Sequence, residues 1–192
     1  MGSEEIYYPS QEVLDYATVK EYDNLYKYSI ENSEAFWEEQ AQNLEWYEPW
    51  DKVIDDSDKP FYKWFVGAKT NIIHNAIDRH LKTATRNKIA FVWEGENGDL
   101  RVYSYHALNR EVSQFANILK SMGVKKGDTV TIYMPQIPEQ IFAMLACAKI
   151  GAVHSVVYAG FSYEALGERI KAAKSKVVIT ADGGFRKGKI VD

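Results

Sequence analysis

MPQIPEQIFAMLACAKIGAVHSVVYAGF, from Met134 to Phe161, decides the fold. It reads as a strand end, a helix, a second strand, and a glycine turn that opens another helix. Pro138 suits the first turn of a helix, where its missing N–H would have no partner anyway. Ile141 to Ile150 is apolar nearly all round, which predicts a buried helix. Gly151 ends it. Ala152 to Tyr158 is an apolar, β-rich run, the pattern of a central parallel strand. Ala159-Gly160-Phe161 leaves that strand, and Ser162 is placed to cap the next helix. Open α/β sheets bind phosphate-bearing ligands at such a strand–turn–helix junction, because free N–H groups and the helix dipole point there.

The alternation extends in both directions. Downstream, Leu166, Ile170 and Ala173 mark the inward face of a helix, and Lys176 to Thr180 the last strand. Upstream, Thr129 to Met134 is a strand after the turn Lys125-Lys126-Gly127-Asp128. Before it, Leu108, Val112, Phe115, Leu119 and Met122 recur by four and three, an amphipathic helix capped by Ser104 and closed by Gly123. Lys88 to Glu94 and Leu100 to Tyr105 read as strands joined by Glu96-Asn97-Gly98-Asp99, a strong hairpin signal. Asn71 starts a helix whose buried stripe is Ile73, Ile77 and Leu81. Strands alternating with helices predict a parallel sheet with right-handed crossovers.

Residues 1 to 60 are rich in Glu, Asp, Tyr and Trp. Thr18 is placed to cap a helix over Val19 to Ile30, and Ser33 another over Glu34 to Leu44. Trp37, Ala41 and Leu44 form an apolar stripe, read as a helical cap rather than a ligand surface. Trp46, Trp50, Trp64 and Phe65 are read as anchors of a connecting loop. Asp55-Asp56-Ser57-Asp58 lacks the glycine and distal Glu of a calcium loop, so it reads as a solvated turn. The organisation expected is thus a helical, aromatic-rich N-terminal cap over residues 1–70, then an α/β portion over 71–192.

Composition narrows the function classes. The chain has 192 residues, 46% of them hydrophobic, enough for a sizeable core. A net charge of −4 gives no support for a nucleic-acid partner. No stretch reaches the roughly 18 consecutive apolar residues of a membrane span, and the acidic start MGSEEIYY does not read as a secretory signal. The single cysteine, Cys147, lies in the apolar helix and reads as a small core residue. One thiol forms no internal disulfide and suits a reducing compartment, so a cytoplasmic location is expected. His74 and His80 lack the i, i+4 spacing of a helical metal pair. Arg79-His80 would complement a helix C-terminus, and His154 reads as a hydrogen-bonded core histidine.

Two strand ends carry the candidate chemistry. One is Tyr158-Ala159-Gly160-Phe161. The other is Thr180-Ala181-Asp182-Gly183-Gly184-Phe185-Arg186-Lys187-Gly188-Lys189, with three cations within four residues. Both follow parallel strands and should open on one edge of the sheet. Arg binds phosphate bidentately or stacks on a base, Lys acts as a point charge, and glycine permits close backbone approach. Phosphate groups and adenine are plausible ligands on that chemistry; a solvated basic turn is the commoner alternative.

Ile132 to Ile170 resembles the acetyl-CoA synthetase branch of the AMP-forming acyl-CoA synthetases. Trp64 to Leu81 (WFVGAKTNIIHNAIDRHL) resembles that family's N-terminal signature, and Val177 to Lys189 (VVITADGGFRKGK) its coenzyme A-contacting segment. The resemblance implies part of the large N-terminal domain of an adenylate-forming enzyme, incomplete at its C-terminal end. It implies cofactor-binding roles for Tyr158, Ala159, Gly160, Arg186, Lys187, Gly188 and Lys189. Arg186 matches the first residue of the family's Arg-x-x-Arg pair. Lys189 replaces the second, which keeps charge but loses the bidentate fork. Ala159 stands where a glycine is common.

The reaction implied has two steps. A carboxylate attacks the α-phosphate of ATP, giving acyl-adenylate and pyrophosphate, and the thiol of coenzyme A then displaces AMP. ATP, coenzyme A and Mg²⁺ are the implied cofactors, with acetate or another short carboxylate as substrate and the remainder of a synthetase chain as partner. The family's Ser/Thr/Gly-rich phosphate loop, ribose-binding Asp, acyl-pocket Trp and late catalytic Lys are not in this sequence. Neither reaction step is therefore expected from these residues alone. The rival reading is a free-standing nucleotide- or coenzyme A-binding module without catalysis.

Overall fold

A computed structural model describes residues 7–191; the first six residues of the N-terminal stretch read above lie outside them. The chain divides after Lys69 into two compact units. The first contains helices α1 (Gln11–Tyr16), α2 (Tyr22–Glu31) and α3 (Ser33–Ala41), then the antiparallel hairpin β1 (Lys52–Asp55) and β2 (Lys63–Val66). Helix α2 begins three residues later than expected from Thr18, with no side-chain cap. Ser33 is the first residue of α3 instead of its cap. That helix stops at Ala41, whose carbonyl accepts the Trp46 indole N–H at 2.9 Å, so the chain folds back and Leu44 stays exposed.

The segment expected as a loop between Trp46 and Phe65 therefore contains a hairpin. Its aromatic residues do meet: Trp46, Trp50 and Phe65 have ring centroids 5.3–5.4 Å apart, and Trp64 stands edge-on to Trp37. Alternation is weak in KWFV, and Phe65 sits at φ +48, which hides the strand from a period-2 reading. Asp55 accepts from the Ser57 N–H and Asp56 pairs with Lys59, which makes the acidic run a solvated turn.

The second unit opens with α4 (Ile72–Ala76), capped by Asn71 as the sequence predicts: its Oδ1 accepts from the Ile73 N–H at 2.8 Å. The helix does not continue to Leu81. Ile77 turns to φ −131, and Asp78–Lys82 winds more tightly as a 3₁₀ turn. This brings His80 against the Tyr105 ring and Asp78 to the Lys149 ammonium, so Arg79-His80 does not complement the end of α4. Ile73 and Ile77 are buried, as their spacing implies.

A second 3₁₀ turn (Ala84–Asn87) leads to the antiparallel hairpin β3 (Ile89–Glu94) and β4 (Leu100–Ser104), then to α5 (Tyr105–Ser121). Then come β5 (Thr129–Met134), α6 (Pro138–Lys149), β6 (Val153–Tyr158), α7 (Tyr163–Ala173) and β7 (Val177–Thr180). The last elements are the strands β8 (Gly184–Arg186) and β9 (Lys189–Val191). Strands β6, β5 and β7 form a parallel sheet in that order. The α/β architecture with a parallel sheet and flanking helices is the one expected, accompanied by three antiparallel hairpins.

The centre of the sheet is β5, not β6. Strand β7 pairs with the far side of β5, which leaves β6 on an edge with Val153, Val156 and Tyr158 exposed. His154 is consequently exposed and not a core histidine. Successive strand placement reverses direction, from β5 out to β6 and then back past β5 to β7. Crossovers of one hand then put α6 and α7 on opposite faces.

The core lies on the α6 face. Val130, Ile132 and Met134 of β5 meet Leu108, Val112, Ala116 and Leu119 of α5, and Phe142, Ala143, Ala146 and Cys147 of α6. On the other face the Thr131 hydroxyl is 2.6 Å from that of Ser175, just past α7. Helix α6 is buried along the face toward α5 and the sheet, but Ile141, Met144 and Leu145 are only half-buried, so it is not enclosed all round. Met122, expected in the α5 stripe, is exposed because the helix ends at Ser121 and Gly123 turns the chain at φ +81. No helix among the described residues is long and apolar enough to cross a membrane.

Candidate functional site

Strands β6 and β7 run parallel on either side of β5, so their carboxyl ends open on one edge, about 10 Å apart by strand spacing. At the first, Tyr158 and Gly160 are exposed and Ala159 is half-buried. Tyr133, near the end of β5, fixes this turn: its hydroxyl lies 2.9 Å from both the Ala159 and Phe161 carbonyl oxygens. Ser162 then caps α7, its Oγ accepting from the Ala165 N–H at 3.3 Å. Phe161 stands edge-on to Tyr158 and lies under the Arg169 guanidinium, 4.5 Å from its ring centre. The turn thus presents an exposed aromatic ring beside a capped helix start.

The second strand end is not the open turn expected from its glycines. It is a hairpin, β8–β9, in which Arg186 pairs across from Lys189. Lys187 (φ +53) and Gly188 (φ +73) form its two-residue tip, the left-handed pair that matches the twist of adjoining strands. Glycine takes this conformation freely, whereas a lysine in it costs about 1–2 kcal/mol. Gly184 lies so close to the loop after β5 that an added Cβ would come within 2.9 Å of Pro135 Cβ. Arg186, Lys187 and Lys189 are all exposed at this tip.

The tip is held from a distance. Glu96, at the end of the β3–β4 hairpin, accepts the Lys187 N–H at 2.6 Å and, through its other oxygen, the Gly188 N–H at 3.4 Å. That hairpin is itself docked beside the sheet edge. The Trp93 indole donates to the Gln136 carbonyl at 2.8 Å, and Arg101 pairs with Glu139 at 2.9 Å while lying over the Trp93 ring. Sequence reasoning treats Glu96 only as part of a turn. Nothing local announces its partners, which lie more than ninety positions away.

The chemistry available is electrostatic and stacking. Three cations on a short hairpin, an exposed Tyr158 ring and a capped helix start suit a ligand with phosphates and an aromatic base. Among the described residues no group of three or more His, Cys, Asp or Glu side chains is arranged to hold a metal. Cys147 is fully buried, and burial pushes its thiol up to about 11, which makes it inert as a nucleophile.

The family model for AMP-binding enzymes matches residues 77–191, and the one for the acetyl-coenzyme A synthetase N-terminus matches residues 22–76. An acetyl-coenzyme A synthetase of Leptospira biflexa is 52% identical over 196 residues, covering 100% of this chain and 30% of the relative. One from Campylobacter jejuni is 50% identical, covering 98% of this chain and 29% of the relative. One from Pyrobaculum aerophilum is 50% identical, covering 92% and 28%. The chain spans about 30% of the length of the curated relatives it matches.

Proposed function

The chain belongs to the AMP-binding enzyme family, in its acetyl-coenzyme A synthetase branch, and on that premise we propose that it serves an acetate (or short-chain acyl)–coenzyme A ligase. In that reaction a carboxylate oxygen bonds to the α-phosphorus of ATP as the bond to pyrophosphate breaks. The coenzyme A sulfur then bonds to the acyl carbon as AMP leaves. The contribution assigned to this chain is nucleotide binding of coenzyme A. Arg186 and Lys189 engage phosphate from adjacent hairpin strands, Lys187 and Gly188 form the tip, and Tyr158, Ala159 and Gly160 offer a ring and close backbone approach. Mg²⁺ belongs to the ATP half-reaction and is assigned no ligand here. The buried, unpaired thiol supports a reducing, cytoplasmic setting.

The cross-strand pairing of Arg186 with Lys189 supports this reading most, because it brings two cations onto one short hairpin at the carboxyl edge of the sheet. Calorimetric titration of the chain with coenzyme A tests it. Binding is expected, weakened about tenfold by Arg186→Ala, the loss of one charge-assisted phosphate contact. Equal binding by the variant, or none by the wild type, would overturn the assignment of the nucleotide to this hairpin.

A further inference from the structure

The sequence marks Glu96 only as part of the Glu96–Asp99 hairpin turn, yet it touches the two backbone groups that define the β8–β9 tip. We infer that Glu96 is a positioning residue: its carboxylate locks the Lys187-Gly188 turn so that Arg186 and Lys189 are presented together to an anionic ligand. This rests on the coenzyme A reading above.

Three observations carry it. First, Lys187 holds a left-handed conformation that a lysine avoids without support, and its N–H makes a 2.6 Å bond to the carboxylate. Second, both carboxylate oxygens are engaged, one by each residue of the turn, so the pair of bonds fixes rotation as well as position. Third, Glu96 sits on a hairpin that is anchored independently at Trp93 and Arg101, so it is a fixed point and not a floating side chain.

The sign of the effect separates positioning from simple charge. Removing Glu96 deletes a negative charge beside three cations, and its N–H partners become free. By electrostatics, or by relief of competition for those N–H groups, an anion should then bind more tightly. If Glu96 positions the cations, binding weakens instead, despite the more positive surface.

The experiment is amide hydrogen exchange at Lys187 and Gly188, with coenzyme A titration, on wild type, Glu96→Ala and Glu96→Gln. In Glu96→Ala, exchange at Lys187 is expected to accelerate about tenfold and coenzyme A binding to weaken about fivefold, with an unchanged thermal midpoint. Glu96→Gln keeps one acceptor oxygen and should fall between. Tighter coenzyme A binding by Glu96→Ala, or unchanged Lys187 exchange, overturns the inference. If wild type ignores coenzyme A while Lys187 exchange still depends on Glu96, the nucleotide assignment fails, and the presentation of Arg186 and Lys189 to that ligand falls with it.

Discussion

The Tyr133 hydroxyl stands 2.9 Å from the Ala159 carbonyl oxygen, and so ties the central strand to the turn leaving its neighbour. The same hydroxyl is 2.9 Å from the Phe161 carbonyl, so one side chain spans the whole turn. Tyr133→Phe removes this tie and leaves the ring. The expected loss is about 1 kcal/mol of stability, with faster amide exchange confined to the Tyr158–Phe161 turn. Uniform acceleration across the sheet would show that Tyr133 supports the core instead of the turn.

Asn71 serves two helices at once. Its Oδ1 caps α4, while its Nδ2 donates to the Ala148 and Lys149 carbonyls at the end of α6, at 3.0 and 3.2 Å. Asn71→Ala should cost about 2 kcal/mol, one cap plus the orphaned carbonyls. Asn71→Asp keeps the cap but places a negative charge at a helix C-terminus, so it should not rescue. Urea midpoints with unchanged slope measure both.

Asp128 gives the acid limb of stability a defined contributor. The Lys176 ammonium at 2.9 Å, then the Lys125 N–H at 2.7 Å, hold its carboxyl below the usual 3.8. A carboxylate depressed in the folded state stabilises fully above its unfolded pKa. That stability disappears as pH falls through the folded value. Asp128→Asn should therefore lower the thermal midpoint at pH 6 and converge on wild type as pH drops below about 3.8. A constant difference down to strong acid would assign the effect to packing.

Cys147 offers a clean probe of opening. With no exposed surface and a thiol pushed up to about 11, it should resist thiol reagents at pH 8 in the native chain. Labelling should be at least about a hundredfold slower than in denaturant, from the smaller thiolate fraction and burial together. Rapid native labelling would mean that α6 separates readily from the sheet.

Much of the frame was readable because its signals are local. Pro138 at a helix start, Asn71, Ser104 and Ser162 at caps, and Gly123 and Gly151 at ends each declare a boundary within a few residues. Cys147 in an apolar helix was readable for the same reason. What escaped depends on partners far along the chain. Whether Val153–Tyr158 is central or at an edge depends on which side β7 chooses. The helix expected through Leu81 yields to contacts with Tyr105 and Lys149. The β8–β9 hairpin hides because Lys187 occupies a position where Asn is the usual signal. The candidate cations were visible, but not the carboxylate that holds their turn.

The strand order β6–β5–β7 also has a history during synthesis. The innermost strand is made first, so β5 leaves the ribosome with both edges bare. Its partners arrive in turn, β6 on one side and then β7 on the other. At about 5–20 residues per second, the interval from Met134 to Thr180 lasts a few seconds. Throughout it Val130 and Ile132 have an unpaired flank open to other nascent chains. Helix α5, translated earlier, is already present to shelter one face, so the vulnerable interval concerns backbone pairing more than apolar surface.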